Sequence, residues 1–178
     1  MDSSSTNIIR KLFGLRREYP MGFYVTDFLF RKIFRQNAGV KWPIHHTATI
    51  HSAHKLKIGK ETFPGDSPGV YINAQNGVNV GDYTNLGPNV GLISANHDYI
   101  DNSQPADAPP INIGRYCWLG MGAIVLPGVQ LGDFTIVGAG TVVTKSFADG
   151  FCVIAGNPAK IIRELNRADC ESFAKSKA

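Results

Sequence analysis

Residues 113–144 read IGRYCWLGMGAIVLPGVQLGDFTIVGAGTVVT, and their spacing decides the fold. Divided into sixes, each block opens on an aliphatic side chain: Ile113, Leu119, Val125, Leu131, Val137 and Val143. The second place is glycine at Gly114, Gly120, Gly132 and Gly138, and the fifth holds Cys117, Ala123, Val129, Thr135 and Thr141. A helix repeats every ~3.6 residues and a strand every ~2, so a sustained period of six marks a repeat architecture instead. It predicts a parallel β-helix: each six residues form one flat face, the aliphatic points inward, and glycine allows the backbone to bend sharply at the corner.

Outward from this stretch the rhythm continues, with two interruptions. Val80-Gly81 and Leu86-Gly87 keep the spacing, and Ile44 and Ile50 begin it before the phase slips toward Ile58-Gly59, an irregular first coil. Residues 63–69, FPGDSPG, are a turn-rich bulge by composition. From Leu92 to Ile113 is 21 residues, not a multiple of six, so the segment 93–112 leaves the coil as a protruding loop. Such an excursion from a strict repeat is a functional candidate, and it carries the single histidine found after residue 54, His97.

The flanks read differently. Residues 1–41 form an N-terminal helical extension, with helices over 3–18 and 22–37. The second gathers Phe23, Val25, Leu29, Phe30, Ile33 and Phe34 on one side, opposite Asp27, Arg31 and Arg35. That apolar side is expected to pack on its own domain or a sister subunit, with peripheral contact to an anionic membrane as the alternative. Residues 42–155 make the β-helix and 156–178 a turn followed by a C-terminal helix.

The 178 residues, 43% hydrophobic and 18% charged, allow one core in a single domain with appendages. Residues 1–42 hold eight Lys/Arg against three acids and the remainder ten against eleven, so the formal +4 charge is local to the N-terminus. A nearly neutral body argues against nucleic acid, which wants a continuous basic surface. Cys117, Cys152 and Cys170 are an odd count at no metal-like spacing, which predicts free thiols in a reducing compartment. With no secretory segment or long apolar run, a cytoplasmic location is expected. His45, His46, His51 and His54 are dense but lie off the regular coils, and no metal is expected.

The sixes, the looped-out SANHD, CWLGMGAIVLPGVQLGD, IVGAGTVVTK and AGNPAKIIREL together resemble the hexapeptide-repeat O-acetyltransferases. The chain is similar to the maltose, galactoside and serine acetyltransferase group, and most similar to acyltransferases of capsule and exopolysaccharide assembly. The resemblance implies a left-handed parallel β-helix of about five coils, since periodicity does not set the hand. It also implies a homotrimer with active sites between prisms, acetyl-CoA as donor, and a saccharide or glycan-precursor acceptor, small or lipid-linked. By the same resemblance His97 is the general base, suited to take an alcohol proton near neutral pH, and the Met121 N–H is the oxyanion donor. The cofactor set it points to is Trp118, Gly120, Met121, Ala139, Thr144, Lys145, Asn157, Pro158, Lys160 and Arg163, the cations meeting phosphate. Polar residues that could meet the acceptor are Asp66, Asn73, Gln75, Asn76 and Asp98. Rival functions are N-acylation of an amino sugar and a non-catalytic trimeric β-helix scaffold.

Overall fold

A repeat of six leaves only two or three residues per face for pairing once each corner has taken its share, and the strands are correspondingly short. The computed structural model describes residues 19–177. Its body is a parallel β-helix with three faces. The first face holds β1 (Thr49–His51), β3 (Tyr71–Asn73), β6 (Gly91–Ile93), β11 (Ile124–Val125) and β14 (Val142–Val143), in that spatial order. The second holds β2 (Leu56–Ile58), β4 (Val78–Val80), β9 (Ile111–Ile113) and β12 (Gln130–Leu131). The third holds β5 (Asn85–Leu86), β10 (Trp118–Leu119), β13 (Thr135–Val137) and β15 (Cys152–Ala155), closed by β16 (Lys160–Glu164). The five strands of the first face count five coils, the number the resemblance implies.

Register stacks like on like. Ile72 pairs with Leu92, Leu92 with Val125, and Val125 with Val143, and all four are fully buried. The fifth places of the repeat also point inward: Cys117, Ala123, Val129, Thr135 and Thr141 are buried. Two inward positions per six therefore fill the core, the aliphatic at mid-face and the smaller one at the corner, where the walls converge. Corner glycines answer the tight stacking of coils. A Cβ on Gly120 would stand 2.7 Å from the Ala139 amide nitrogen, closer than any side chain can sit to backbone.

Inside the corner between the second and third faces, small polar side chains bind backbone that no strand reaches. Thr62 Oγ1 donates to the Gly81 carbonyl (2.8 Å) and Thr84 Oγ1 to that of Gly114 (2.8 Å). Thr84 Oγ1 also accepts the Cys117 N–H (2.9 Å), and Thr135 Oγ1 donates to the Gly132 carbonyl (2.7 Å). Buried polar backbone without a partner is costly, so these residues do the work of an absent ladder.

The first coil slips where expected. Ala53–Lys55 form a 3-10 turn at the corner, which lengthens the step from Ile50 to Ile58 to eight residues. The excursion expected over 93–112 is narrower, since Ile93 belongs to β6 and Ile111 and Asn112 to β9; residues 94–110 lie between these strands, and the step from Leu92 to Ile113 is fifteen residues longer than the normal six. The excursion contains a small antiparallel hairpin of β7 (Asn96–His97) and β8 (Pro105–Ala106).

The termini depart from the sequence reading. The helix expected over 3–18 lies outside the described residues. The next is α-helical over Met21–Asp27 and continues as a π-helix over Phe28–Ile33, with its expected polarity reversed. Asp27 and Arg31 face inward as a 2.6 Å ion pair; Asp27 also accepts the Ile44 N–H (3.1 Å) and Arg31 donates to the Val40 carbonyl (2.9 Å). Periodicity alone cannot say which side of a helix meets the body. At the other end, the expected turn is present but Ile161–Glu164, read as the start of a helix, belongs to the strand Lys160–Glu164, antiparallel to β15. The open edge of β15 offers unpaired backbone at the end of the prism, and the β-branched Ile161 and Ile162 favour extending it. The helix begins later, over Arg167–Lys177.

The Arg167–Lys177 helix rests against a column of rings on the outer side of the second-to-third corner. Tyr83, Tyr116, Phe134 and Phe151 all adopt φ near +50 to +57° and stack at 4.8 to 5.5 Å between centroids. Phe173 meets Tyr116 edge-on at 5.9 Å, and the Arg167 guanidinium lies 4.1 Å over Phe151. Non-glycine residues in the left-handed region are strained by about 1 kcal/mol each, and stacking offsets that cost.

Candidate active site

The structure divides the sequence-predicted site between two edges of the first face. At the edge toward the second face stands His97, exposed on β7. It opens on a cavity of about 300 Å³ shared with Tyr99, Asp107, Leu126, Pro127 and Thr144. Thr144, predicted to touch the cofactor, is therefore beside the predicted base, and Lys145 follows it with Nζ 5.7 Å over the Phe147 ring.

The loop that presents His97 is tied down at its base and bare at its tip. Asn76 Nδ2 donates to the Ala106 carbonyl (3.0 Å), and the Asn76 N–H donates to Ser94 Oγ (3.0 Å). Asp98 accepts the N–H groups of Asp101 (2.9 Å) and Ile100 (2.8 Å), and these donors hold its carboxyl below the usual range. Ser103 does the same for Asp101 through its hydroxyl and N–H. Beyond these turns Tyr99 and Ile100 are 97% and 98% exposed.

At the opposite edge, toward the third face, three corners lie one above another: Gly87-Pro88-Asn89, Gly120-Met121-Gly122 and Gly138-Ala139-Gly140. The Gly122 N–H donates to the Pro88 carbonyl (2.9 Å) and the Gly140 N–H to that of Met121 (2.8 Å). Within this ladder the N–H groups of Met121 and Ala139 donate to no acceptor among the described residues. They are free for a ligand along the corner. The column continues into the turn of Asn157 and Pro158, anchored by Val142 N–H to Gly156 carbonyl (3.0 Å) and Ala159 N–H to Val142 carbonyl (2.9 Å). Lys160 emerges from that turn onto β16, and Arg163 lies three residues on; both are exposed. Gly120 belongs to this edge as a corner residue.

Within one chain the two edges do not meet. The five residue steps from Gly122 to Pro127 cross the first face, about 16 Å at ~3.3 Å per step. His97, Thr144 and Lys145 stand at one end; Met121, Ala139, Asn157, Pro158 and Lys160 stand at the other.

Trp118 is on the third face, half exposed, lining a cavity of about 490 Å³ with Asn85, Tyr83, Tyr116 and Phe173. The predicted acceptor residues scatter. Asp66 accepts the Tyr19 hydroxyl, Asn73 Oδ1 accepts the Gln75 N–H (3.0 Å), and the Gln75 carbonyl accepts Lys55 Nζ (2.8 Å). Asn76 and Asp98 are engaged within the loop, and both of the contacts given for Gln75 are made by its backbone. Sequence reasoning missed Asn85, the cavity wall at Leu126 and Pro127, and the aromatic column. A second period was the available signal, since Tyr116 and Phe134 are eighteen residues apart, one full coil.

Comparison with known proteins identifies the family. Residues 110–145 match the bacterial transferase hexapeptide family (six repeats). The chain is 34% identical over 145 residues to WcaF of Escherichia coli K12, named as a colanic acid biosynthesis acetyltransferase, covering 82% of this chain and 78% of that one. Among solved structures, a maltose O-acetyltransferase from Clostridium difficile 630 superposes with a TM-score of 0.61 at 28% identity, over 67% of this chain and 64% of that one. A galactoside acetyltransferase in complex with coenzyme A shares the fold, with a TM-score of 0.64 at 24% identity over 84% and 82% of the two chains. By its repeat, its coiled architecture and a relative matched along four fifths of its length, this chain belongs to the hexapeptide-repeat acetyltransferase family and is an acyltransferase.

Proposed function

We propose that the protein is a homotrimeric, acetyl-CoA-dependent O-acetyltransferase of left-handed β-helical form, acting on a saccharide hydroxyl. One observation carries the reading: the base-bearing edge and the edge with free N–H groups lie at opposite ends of one face. A ring of prisms brings the His97 edge of one subunit against the Met121 edge of the next. The bare Tyr99 and Ile100 at the loop tip then have a neighbour to cover them.

In this arrangement the thioester lies along the Met121–Ala139 column, with the nucleotide end toward Asn157, Pro158, Lys160 and Arg163, where cations meet its phosphates. Thr144, Lys145 and Trp118 border the same donor. Neutral His97 takes the proton of the acceptor hydroxyl as its oxygen attacks the thioester carbonyl. The oxyanion receives the Met121 N–H, the carbon–sulfur bond breaks, and the imidazolium returns the proton to the thiolate. Direct transfer from the thioester to the acceptor hydroxyl needs no acyl-enzyme. The saccharide acceptor follows the names of the relatives, a colanic acid biosynthesis acetyltransferase and a maltose O-acetyltransferase.

Thiol release from acetyl-CoA with a panel of free and nucleotide-linked sugars tests the reading. His97→Ala should lower kcat by about a hundredfold or more and leave coenzyme A affinity nearly intact. An unchanged rate would remove His97 from the mechanism. Product esters should be labile to mild alkali, whereas a stable amide would reassign the acceptor to an amine.

A further inference from the structure

The helix at the N-terminal side of the prism is inside out. Its buried side carries Phe23 and the Asp27–Arg31 ion pair. Its open side carries Val25, Phe28, Leu29, Ile33 and Phe34, between 41% and 68% exposed. Large apolar side chains clustered within ten residues are rare on a surface that meets only water.

The charges around that patch are one-sided. Lys32 and Arg35 are exposed among the apolar residues, and Lys41 is exposed just beyond. Asp27 is the single acid between residues 19 and 42, and Arg31 neutralises it in the interior. No helix of the described residues is long and apolar enough to cross a membrane. Aromatic and aliphatic side chains outward, cations beside them and no free acid among residues 19–42 are the features of a helix that lies in the plane of an anionic bilayer.

We infer that the exposed face of residues 25–35 docks the enzyme on an anionic lipid surface. The rings of Phe28 and Phe34 enter the boundary between headgroups and acyl chains, and Lys32 and Arg35 meet the phosphates. The prism itself, nearly neutral beyond residue 42, stays in water. The inference stands apart from the acyl transfer reaction, because none of these residues belongs to either edge of the active site.

The test is co-sedimentation of the full chain with phosphatidylcholine vesicles, with and without 30% phosphatidylglycerol, at ~0.1 and ~0.5 M salt. Binding is expected to the anionic vesicles, weakened by salt. The double variant Phe28→Glu/Phe34→Glu should lose it at least tenfold while keeping acetyl transfer to a water-soluble acceptor. Lys32→Glu/Arg35→Glu should lose affinity for anionic vesicles and with it the salt dependence. Absence of vesicle binding by the wild type overturns the proposal, and so does undiminished binding by the Phe28/Phe34 variant. If that variant instead changes the oligomeric state by sedimentation velocity and the wild type ignores vesicles, the face belongs to a second copy.

Discussion

At the scale of single residues, the corner column offers a substitution that removes one atom pair. Pro88 occupies, one coil away, the place that Met121 holds, so the corner backbone accepts proline there. Met121→Pro should therefore fold and lose the N–H proposed to meet the oxyanion together with an exposed thioether side chain, whose own effect Met121→Ala reports. The kcat of the proline variant is expected to fall by about 10²–10³-fold with little change in coenzyme A binding, read by steady-state kinetics and calorimetry. Wild-type kcat in a folded variant would remove that N–H from the mechanism. Cys117 offers a second test. Burial pushes its thiol from 9.0 up to about 11. Between those values the unfolded chain has lost a proton that the folded chain keeps, so stability declines as pH rises through that window. The loss is at most roughly 2–3 kcal/mol. Cys117→Thr, which matches Thr84 and Thr135 in the same column, should flatten the alkaline limb of a denaturation-midpoint profile; an unchanged limb would show that another group titrates.

At the scale of elements, the loop 93–112 separates what repeats from what functions. Its place and length followed from a broken count of six, because an insertion disturbs periodicity whatever its own sequence. Its anchoring did not, because the bond from Asn76 to Ala106 joins residues thirty positions apart. Asn76 read as an acceptor ligand on its residue type, and the structure gives it a positioning contact. Asn76→Ala should speed amide exchange across the loop and lower kcat several-fold, with the unfolding midpoint of the prism shifting by only about 1 kcal/mol. Exchange rates matching the wild type would return Asn76 to the acceptor set. The C-terminal strand escaped notice for a related reason. Ile161 and Ile162 are tolerated in a helix and favoured in a strand, and the open edge of β15 tips the balance to strand.

At the scale of the whole molecule, an active site shared between subunits predicts complementation. His97→Ala and Met121→Pro are each expected to be nearly inactive alone. Unfolded together and refolded in equal amounts, they should recover about a quarter of the wild-type rate, because random assembly pairs an intact His97 edge with an intact Met121 edge in that fraction of sites. No recovery, with mixed oligomers shown by mass spectrometry, would place both residues in a site within one chain.

The sequence by itself determined the coil. The aliphatics at 113, 119, 125, 131, 137 and 143 face inward because a period of six with glycine corners has one compact solution, and burial of those side chains enforces it. It also singled out His97, since a loop that breaks a strict repeat is visible without coordinates. Only the tertiary structure decided which edge each candidate occupies, which carbonyl Asn76 holds, and which side of the Met21–Asp27 helix turns to water. Those depend on contacts between distant parts of the chain, where packing and hydrogen-bond satisfaction outweigh local pattern. Asp27 and Arg31 turn inward because the Ile44 N–H and the Val40 carbonyl give them partners there, and the apolar side is left facing out.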